Sequence, residues 1–210
     1  MCKKPLLVIL AGPNGSGKST LSESICASGL VDTCVYINPD ILAKEKYGDW
    51  NNPEASIKAA EDCYKLRYQL LEEGKDIFFE TVFSSPEKLE FLKRAKEKGY
   101  FIRMFFVSTN CPDINAARVS KRFRAGGHSV PIEKIVSRYE KSIKQAAEAV
   151  LYPDRAYFID NSVDNANPKL VFQTRNGTLR KIYDEENVSW HKGILKATKQ
   201  NQHKVSNSID

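Results

Sequence analysis

Leu6-Leu7-Val8-Ile9-Leu10-Ala11-Gly12-Pro13-Asn14-Gly15-Ser16-Gly17-Lys18-Ser19-Thr20 is an apolar run that breaks into a glycine-rich loop and then resumes as the helix-compatible Leu21-Ser22-Glu23-Ser24-Ile25. A short apolar run bounded by Gly-Pro reads as a buried strand. Residues 12–19 fit G-x-x-x-x-G-K-[ST]. Glycines let the backbone curl until successive N–H groups face inward, and the helix that follows turns its positive end toward the same point. The loop therefore reads as a phosphate cradle built by Gly12, Pro13, Asn14, Gly15, Ser16, Gly17, Lys18, Ser19 and Thr20. In such a cradle Lys18 reaches the β and γ phosphates and the Ser19 hydroxyl ligates Mg²⁺. A chance match is expected in roughly one chain in a hundred of this length, and the strand-before, helix-after context makes it rarer.

Working outward, further apolar runs at Val35 to Ile37, Ile77 to Phe79, Phe101 to Val107 and Ala156 to Ile159 alternate with helical stretches. Ala59, Cys63, Leu66 and Leu70 recur at helical spacing after the start signal Asn52-Pro53. Helices are also expected from Ser85-Pro86-Glu87 and Asn110-Cys111-Pro112. Ile132, Ile135, Val136, Tyr139, Ile143, Ala146 and Val150 mark a long amphipathic helix. Strands apolar on both faces and alternating with helices predict a three-layer α/β fold with a central parallel sheet. Ligands of such sheets sit at the carboxyl ends of the strands. Asn176-Gly177, between Leu170-Val171-Phe172 and Ile182-Tyr183, predicts an antiparallel hairpin. One domain over residues 1–183, ending in that hairpin, is expected, with residues 184–210 a polar, partly disordered tail that frays from about Lys192.

Two strand ends carry carboxylates. Val35-Tyr36-Ile37 runs into Asn38-Pro39-Asp40, which places Asp40 where an acceptor hydroxyl meets a γ-phosphate; it is a candidate general base, and it also stands where a helix cap would. Ile77-Phe78-Phe79 ends in Glu80-Thr81, an acidic strand terminus suited to the Mg²⁺ shell or to a substrate hydroxyl. Arg118, Lys121, Arg122 and Arg124, then Gly126-Gly127-His128, then Arg138 and Lys141, read as an arginine-bearing lid or as a solvated basic face. His128 is assigned no proton. Asp160-Asn161-Ser162 follows the fifth strand, where a loop passes near a nucleobase. Tyr64, Tyr68, Phe78, Phe79, Phe105 and Phe106 fall at core spacings.

The 210 residues are 41% hydrophobic, enough for one sizeable core. The formal charge of +6 suits nucleic acid, an anionic membrane surface or a polyphosphate and does not choose among them. Cys2, Cys26, Cys34, Cys63 and Cys111 include no C-x-x-C pair, which argues against a disulfide framework or zinc site and for a reducing cytosol. No stretch approaches the ~18 apolar residues of a spanning helix, and Leu6 to Ala11 is too short for a signal peptide's usual setting. N-K-x-D and L-S-G-G-Q are absent, which argues against a GTPase switch or a transporter ATPase.

Gly12 to Thr20, Asn38-Pro39-Asp40, Glu80-Thr81 and the segment Arg122…Gly126-Gly127-His128…Val130-Pro131…Arg138-Tyr139 together resemble the zeta-toxin family of P-loop kinases, over roughly residues 5–165. The resemblance implies an ATP-dependent kinase of the UDP-N-acetylglucosamine type. It implies Lys18 and Ser19 on the nucleotide, Asp40 as base, Glu80 and Thr81 near the sugar acceptor, and Arg122 and Arg138 clamping phosphates. It also raises a separate antitoxin protein as partner. A kinase of another metabolite or nucleotide, resembling adenylate or gluconate kinases in architecture, is the alternative. A nucleic-acid-binding or switch protein is the reading from another class, with net charge as its support.

Overall fold

A computed structural model describes residues 3–48, 52–126, 130–184 and 189–207. The order is β1 (Leu6–Ala11), α1 (Lys18–Ala27), β2 (Val35–Ile37), α2 (Pro39–Tyr47), α3 (Pro53–Glu72), β3 (Ile77–Thr81), α4 (Pro86–Glu97) and β4 (Phe101–Ser108). Then follow α5 (Pro112–Arg124), α6 (Ile132–Ala149), β5 (Arg155–Asp160), β6 (Lys169–Arg175), β7 (Thr178–Ile182) and α7 (Lys192–Asn207). The described strands form one sheet in the order β2-β3-β1-β4-β5-β6-β7. The first five are mutually parallel, and β6 and β7 join antiparallel at one edge.

β1 lies between β3 and β4, and Leu7 to Ala11 are fully buried. Alternation sends Leu7, Ile9 and Ala11 into a large apolar layer shared with Leu70, Leu71, Phe91, Leu92, Ala146 and Ala149 of the helices. Val8 and Leu10 point the other way, into a smaller layer with Ile25 of α1 and Val31. A sheet covered on both faces is what a β-α alternation with doubly apolar strands demands. The expected three-layer architecture is the one observed, and the sheet is parallel except for its last two strands.

Register brings the chemistry to one edge. Leu10 pairs with Glu80 and Ala11 with Thr81, and the Gly12 amide donates to the Thr81 carbonyl at 3.2 Å. On the other side Ser108 pairs with Asp160. Two of the three Asn-Pro pairs, Asn38-Pro39 and Asn52-Pro53, start helices: the Asn38 side chain accepts from the Asp40 amide at 2.9 Å and the Asn52 side chain from the Glu54 amide at 2.9 Å. Among the described residues no helix is long and apolar enough to cross a membrane.

The segment read from its composition as a fraying tail is helical instead. Trp190, His191, Ile194, Leu195 and Thr198 are buried, while Lys192, Lys196, Lys199 and Gln200 face solvent. Mean polarity concealed an amphipathic stripe, because few apolar side chains suffice when they share one face. The Trp190 ring lies 5.7 Å from that of Phe106 in β4, and its indole N–H donates to Asp160 at 2.9 Å. The predicted turn at Asn176-Gly177, where both residues have positive φ, joins β6 to β7, and the hairpin extends the main sheet. Trp190→Ala is expected to lower unfolding stability by about 3 kcal/mol in urea titrations; a loss below about 0.5 kcal/mol would show that α7 lies outside the cooperative core.

Candidate active site

The phosphate loop is held from behind. The Asn161 side-chain amide donates to the Ser16 carbonyl at 2.8 Å, and the Asn115 amide donates to the Asn14 carbonyl at 2.6 Å. Fixing carbonyls on the outside of a curled loop turns the intervening N–H groups toward its hollow. Gly17 has φ 94, and a Cβ there would collide with the Asn161 amide, so the loop's approach to β5 requires glycine. Gly12 has φ 145, and a Cβ would meet the Val107 carbonyl of β4. The first turn of α1 has no acidic residue and no side-chain cap, so its amides remain available to an anion.

Lys18 folds back over the loop, with Nζ donating to the carbonyls of Gly12 at 2.8 Å and Pro13 at 2.9 Å. Burial lowers its pKa from 10.5 to about 8, with Arg122 pushing the same way, against the opposing pull of Glu80 and Asp40. An arriving phosphate would supply the counter-charge that the two carbonyls only approximate.

Asn38 organises the two carboxylates. Its side-chain oxygen caps α2 and so fixes Asp40 in the first turn, while its amide nitrogen donates to Glu80 at 3.3 Å and to the Tyr36 hydroxyl at 3.1 Å. The Tyr36 hydroxyl in turn donates to Glu80. The cap is therefore Asn38 and not Asp40, whose exposed carboxylate stays open to the cleft. Burial, with the Glu80 contact adding to it, raises the Tyr36 pKa, which keeps the phenol a donor.

Lys18, Ser19, Asp40, Glu80, Arg122 and Arg138 all line one open cavity of about 410 Å³, with Thr81 on the same wall. Arg118 takes another job: it donates to Asp164 at 2.6 and 2.8 Å and to the Asn161 carbonyl at 2.7 Å. Lys121, Arg124 and Lys141 are solvent-exposed. The helices α5 and α6 meet through Val119, Val130 and Ile135, and Gly127 and His128, between them, lie outside the described residues. Asn161, on the loop read as passing near a nucleobase, lies against the phosphate loop. Ser19 with Glu80 and Asp40 offers oxygen donors alone, the chemistry that a hard cation such as Mg²⁺ takes.

Sequence reading missed Tyr36, Asn38 as a bridge, Asn115 and Arg67, which lines the same cavity. Arg67 left a signal, since it follows Cys63 by four residues and so falls inside the apolar stripe of α3, where a charge needs a reason. Tyr36 and Asn115 left none, because each acts through a partner distant in the chain.

Two measurements test this geometry. Because the folded Lys18 pKa is lowered, the unfolded chain holds a proton that the fold does not between about pH 8 and 10.5, so Lys18 makes stability rise with pH across that window. Anion binding has the opposite sign: a triphosphate should take up about half a proton at pH 8 and lose affinity above it. Calorimetry in two buffers of different ionisation heat reads the uptake, and zero uptake contradicts the assignment. Asn161→Ala should weaken triphosphate binding about fivefold, the worth of one hydrogen bond, whereas unchanged affinity would show that the loop holds its shape unaided.

Comparison with known proteins now bears on this arrangement. A family model described as Zeta toxin matches residues 1–187. A Haemophilus influenzae protein, itself described as uncharacterized, is 27% identical over 132 residues, covering 63% of this chain and 91% of its own. In the PezAT chromosomal toxin-antitoxin system of Streptococcus pneumoniae, a solved chain superposes with a TM-score of 0.59 at 16% identity, over 97% of this chain and 87% of that one. An AvrRxo1-ORF1:-ORF2 structure with ATP gives a TM-score of 0.58 at 18% identity, over 84% of this chain and 60% of that one. The shared architecture is that of P-loop kinases, and this chain belongs to the zeta toxin family.

Proposed function

We propose that the protein transfers the γ-phosphate of ATP to a hydroxyl of a small molecule, with UDP-N-acetylglucosamine the first acceptor to try. The observation that carries this reading is the convergence of Lys18, Ser19, Asp40, Glu80, Arg122 and Arg138 on one cavity. A phosphate loop alone serves many nucleotide-binding proteins; a carboxylate opposite it, open to the same space, is what phosphoryl transfer to an alcohol adds. The ATP bound to AvrRxo1-ORF1:-ORF2 supports the choice of nucleotide.

In this reading residues 12–20 hold the triphosphate, and Lys18 leaves the carbonyls of Gly12 and Pro13 for the β and γ oxygens. Asp40 takes the proton of the acceptor hydroxyl as its oxygen forms a bond to the γ-phosphorus, and the bond from that phosphorus to the ADP oxygen breaks. Arg122 and Arg138 neutralise charge on the transferring group. Glu80 and Thr81 orient the acceptor, and Ser19 with Glu80 would hold Mg²⁺, which would supply further neutralisation of phosphate charge. Tyr36 and Asn38 fix Glu80 so that it is oriented before substrate arrives. The toxin-antitoxin system of PezAT supports a separate antitoxin protein as partner.

Asp40→Asn should retain Mg-ATP binding, seen as a thermal shift, while kcat falls by about 10² to 10⁴. Phosphorylated sugar nucleotide, detected by mass spectrometry, is the expected wild-type product. Activity undiminished in Asp40→Asn would remove Asp40 from its role. The absence of product from every sugar nucleotide, nucleotide and sugar offered would sink the kinase reading.

A further inference from the structure

On its second face the sheet is covered only in part. Along β4 the alternation sends Ile102, Met104 and Phe106 into the large apolar layer, fully buried, while Phe101, Arg103 and Phe105 on the opposite face stay half-buried. β5 repeats the pattern, with Ala156 and Phe158 buried inward and Arg155 and Tyr157 half-buried outward. Among the described residues, the helical side chains of the smaller layer come from α1 alone, as Leu21 and Ile25. α7 packs on the other face, through Ile194 and Leu195. The outward side of β4 to β7 is thus left to its own side chains.

Register arranges those side chains in rows across the strands. Arg103 pairs with Arg155 and Arg155 with Arg175, which sets three guanidiniums side by side. Two residues along each strand, about 6.6 Å away, Phe105 pairs with Tyr157, Tyr157 with Gln173 and Gln173 with Lys181. The Phe105 and Tyr157 rings stack with centroids 5.0 Å apart. Ile182 packs into the large layer, so Lys181 and Tyr183 share the outward face; the Tyr183 ring is 47% exposed, with the Lys181 ammonium 4.7 Å from its centroid.

Like charges at neighbouring positions of a sheet repel, and the strands supply nothing to answer them. The single acid in β4 to β7 is Asp160, which is buried and held by Trp190. Among the described residues none of the three arginines forms an ion pair, and Arg103 Nε is buried without a partner. Part of the formal charge of +6 is therefore concentrated on one face. None of these residues lines the cavity of the candidate active site, which opens at the carboxyl ends of the strands, whereas Arg103 and Arg155 stand near their amino ends.

We propose that this face binds single-stranded nucleic acid, with phosphates on the arginine row and bases against Phe105, Tyr157, Gln173 and Tyr183. Each nucleotide joins a charged phosphate to a planar base that extends to one side, so one strand lying across β4 to β7 meets both rows at once. Rings stack with bases of any sequence, and the Gln173 amide can both donate and accept at a base edge. An acidic peptide answers the cations but brings no planar groups to the rings, and a duplex hides its base faces. The proposal is independent of the kinase reading.

Fluorescence anisotropy tests it with labelled RNA and DNA single strands of about twelve nucleotides, the corresponding duplexes, and a labelled polyglutamate peptide. At least one single strand should bind, and more tightly than any duplex or the peptide. Arg175→Gln should weaken that binding at least threefold and reduce the slope of log K against log salt by about 0.7, the share of one phosphate contact. Tyr183→Ala should weaken it about fivefold or more, the worth of one stacked base, with the slope unchanged. Both side chains are exposed, and a thermal shift with Mg-ATP equal to that of the wild type checks that each variant is folded and separates this face from the kinase cavity. Binding of neither single strand, tighter binding of a duplex or of polyglutamate, or an affinity indifferent to Tyr183→Ala overturns the proposal and leaves the kinase reading standing.

Discussion

Two side-chain amides, from Asn115 and Asn161, grip the outward carbonyls of the phosphate loop, and the working arrangement depends on them. A loop rich in glycine has many conformations, and ordering it costs more per residue than ordering any other sequence. Anchoring its carbonyls to α5 and to the end of β5 meets that cost at folding, before any ligand arrives. The loop's hollow, the Lys18 position and the uncapped start of α1 then follow from where β1, β4 and β5 end. The anchors are themselves secured: Asn115 is fully buried and accepts from Thr109, and Asn161 follows Asp160, which is held by Trp190.

The carboxylate half of the cavity uses the same device with a different side chain. Asn38 spends its oxygen on the amino end of α2 and its nitrogen on Glu80 and Tyr36. One amide thereby sets the relative placement of two acidic groups from different elements. Lys18, which feels the charge of both carboxylates, offsets their mutual repulsion. The cavity combines firm anchoring of its phosphate and acid walls with backbone strain at Phe83, where φ is 59, a pattern expected where geometry serves a ligand more than stability.

The phosphate loop was legible because its whole meaning is local: spacing, glycines and the strand and helix on either side all fall within Leu6 to Ala27. The β-α alternation was legible for a similar reason, since doubly buried strands have an unmistakable apolar density. Asp40 and Glu80 could be placed at strand ends, and the structure brings both to the cavity with Arg122 and Arg138. What escaped was mostly contributed at long range. Asn161 touches Ser16 across 145 positions, and nothing in Asp160-Asn161-Ser162 says which neighbour it will meet. Arg67 was the exception, hidden in plain view as a charge inside an apolar stripe. The last helix was misread because averaging over Lys, Asn and Gln erases the few buried positions that fix it.

The tie between Trp190 and Asp160 also orders events in time. The loop that props the phosphate cradle is finished only when a residue far downstream has been made and packed against Phe106. During synthesis the strands through β5 emerge before residue 190 does, and until it does Asp160, next to the Asn161 anchor, lacks its Trp190 partner. This ties the rear anchor of the phosphate loop to a residue well downstream of it, so products of translation interrupted before residue 190 carry the phosphate-loop sequence without the Trp190 contact that steadies Asp160.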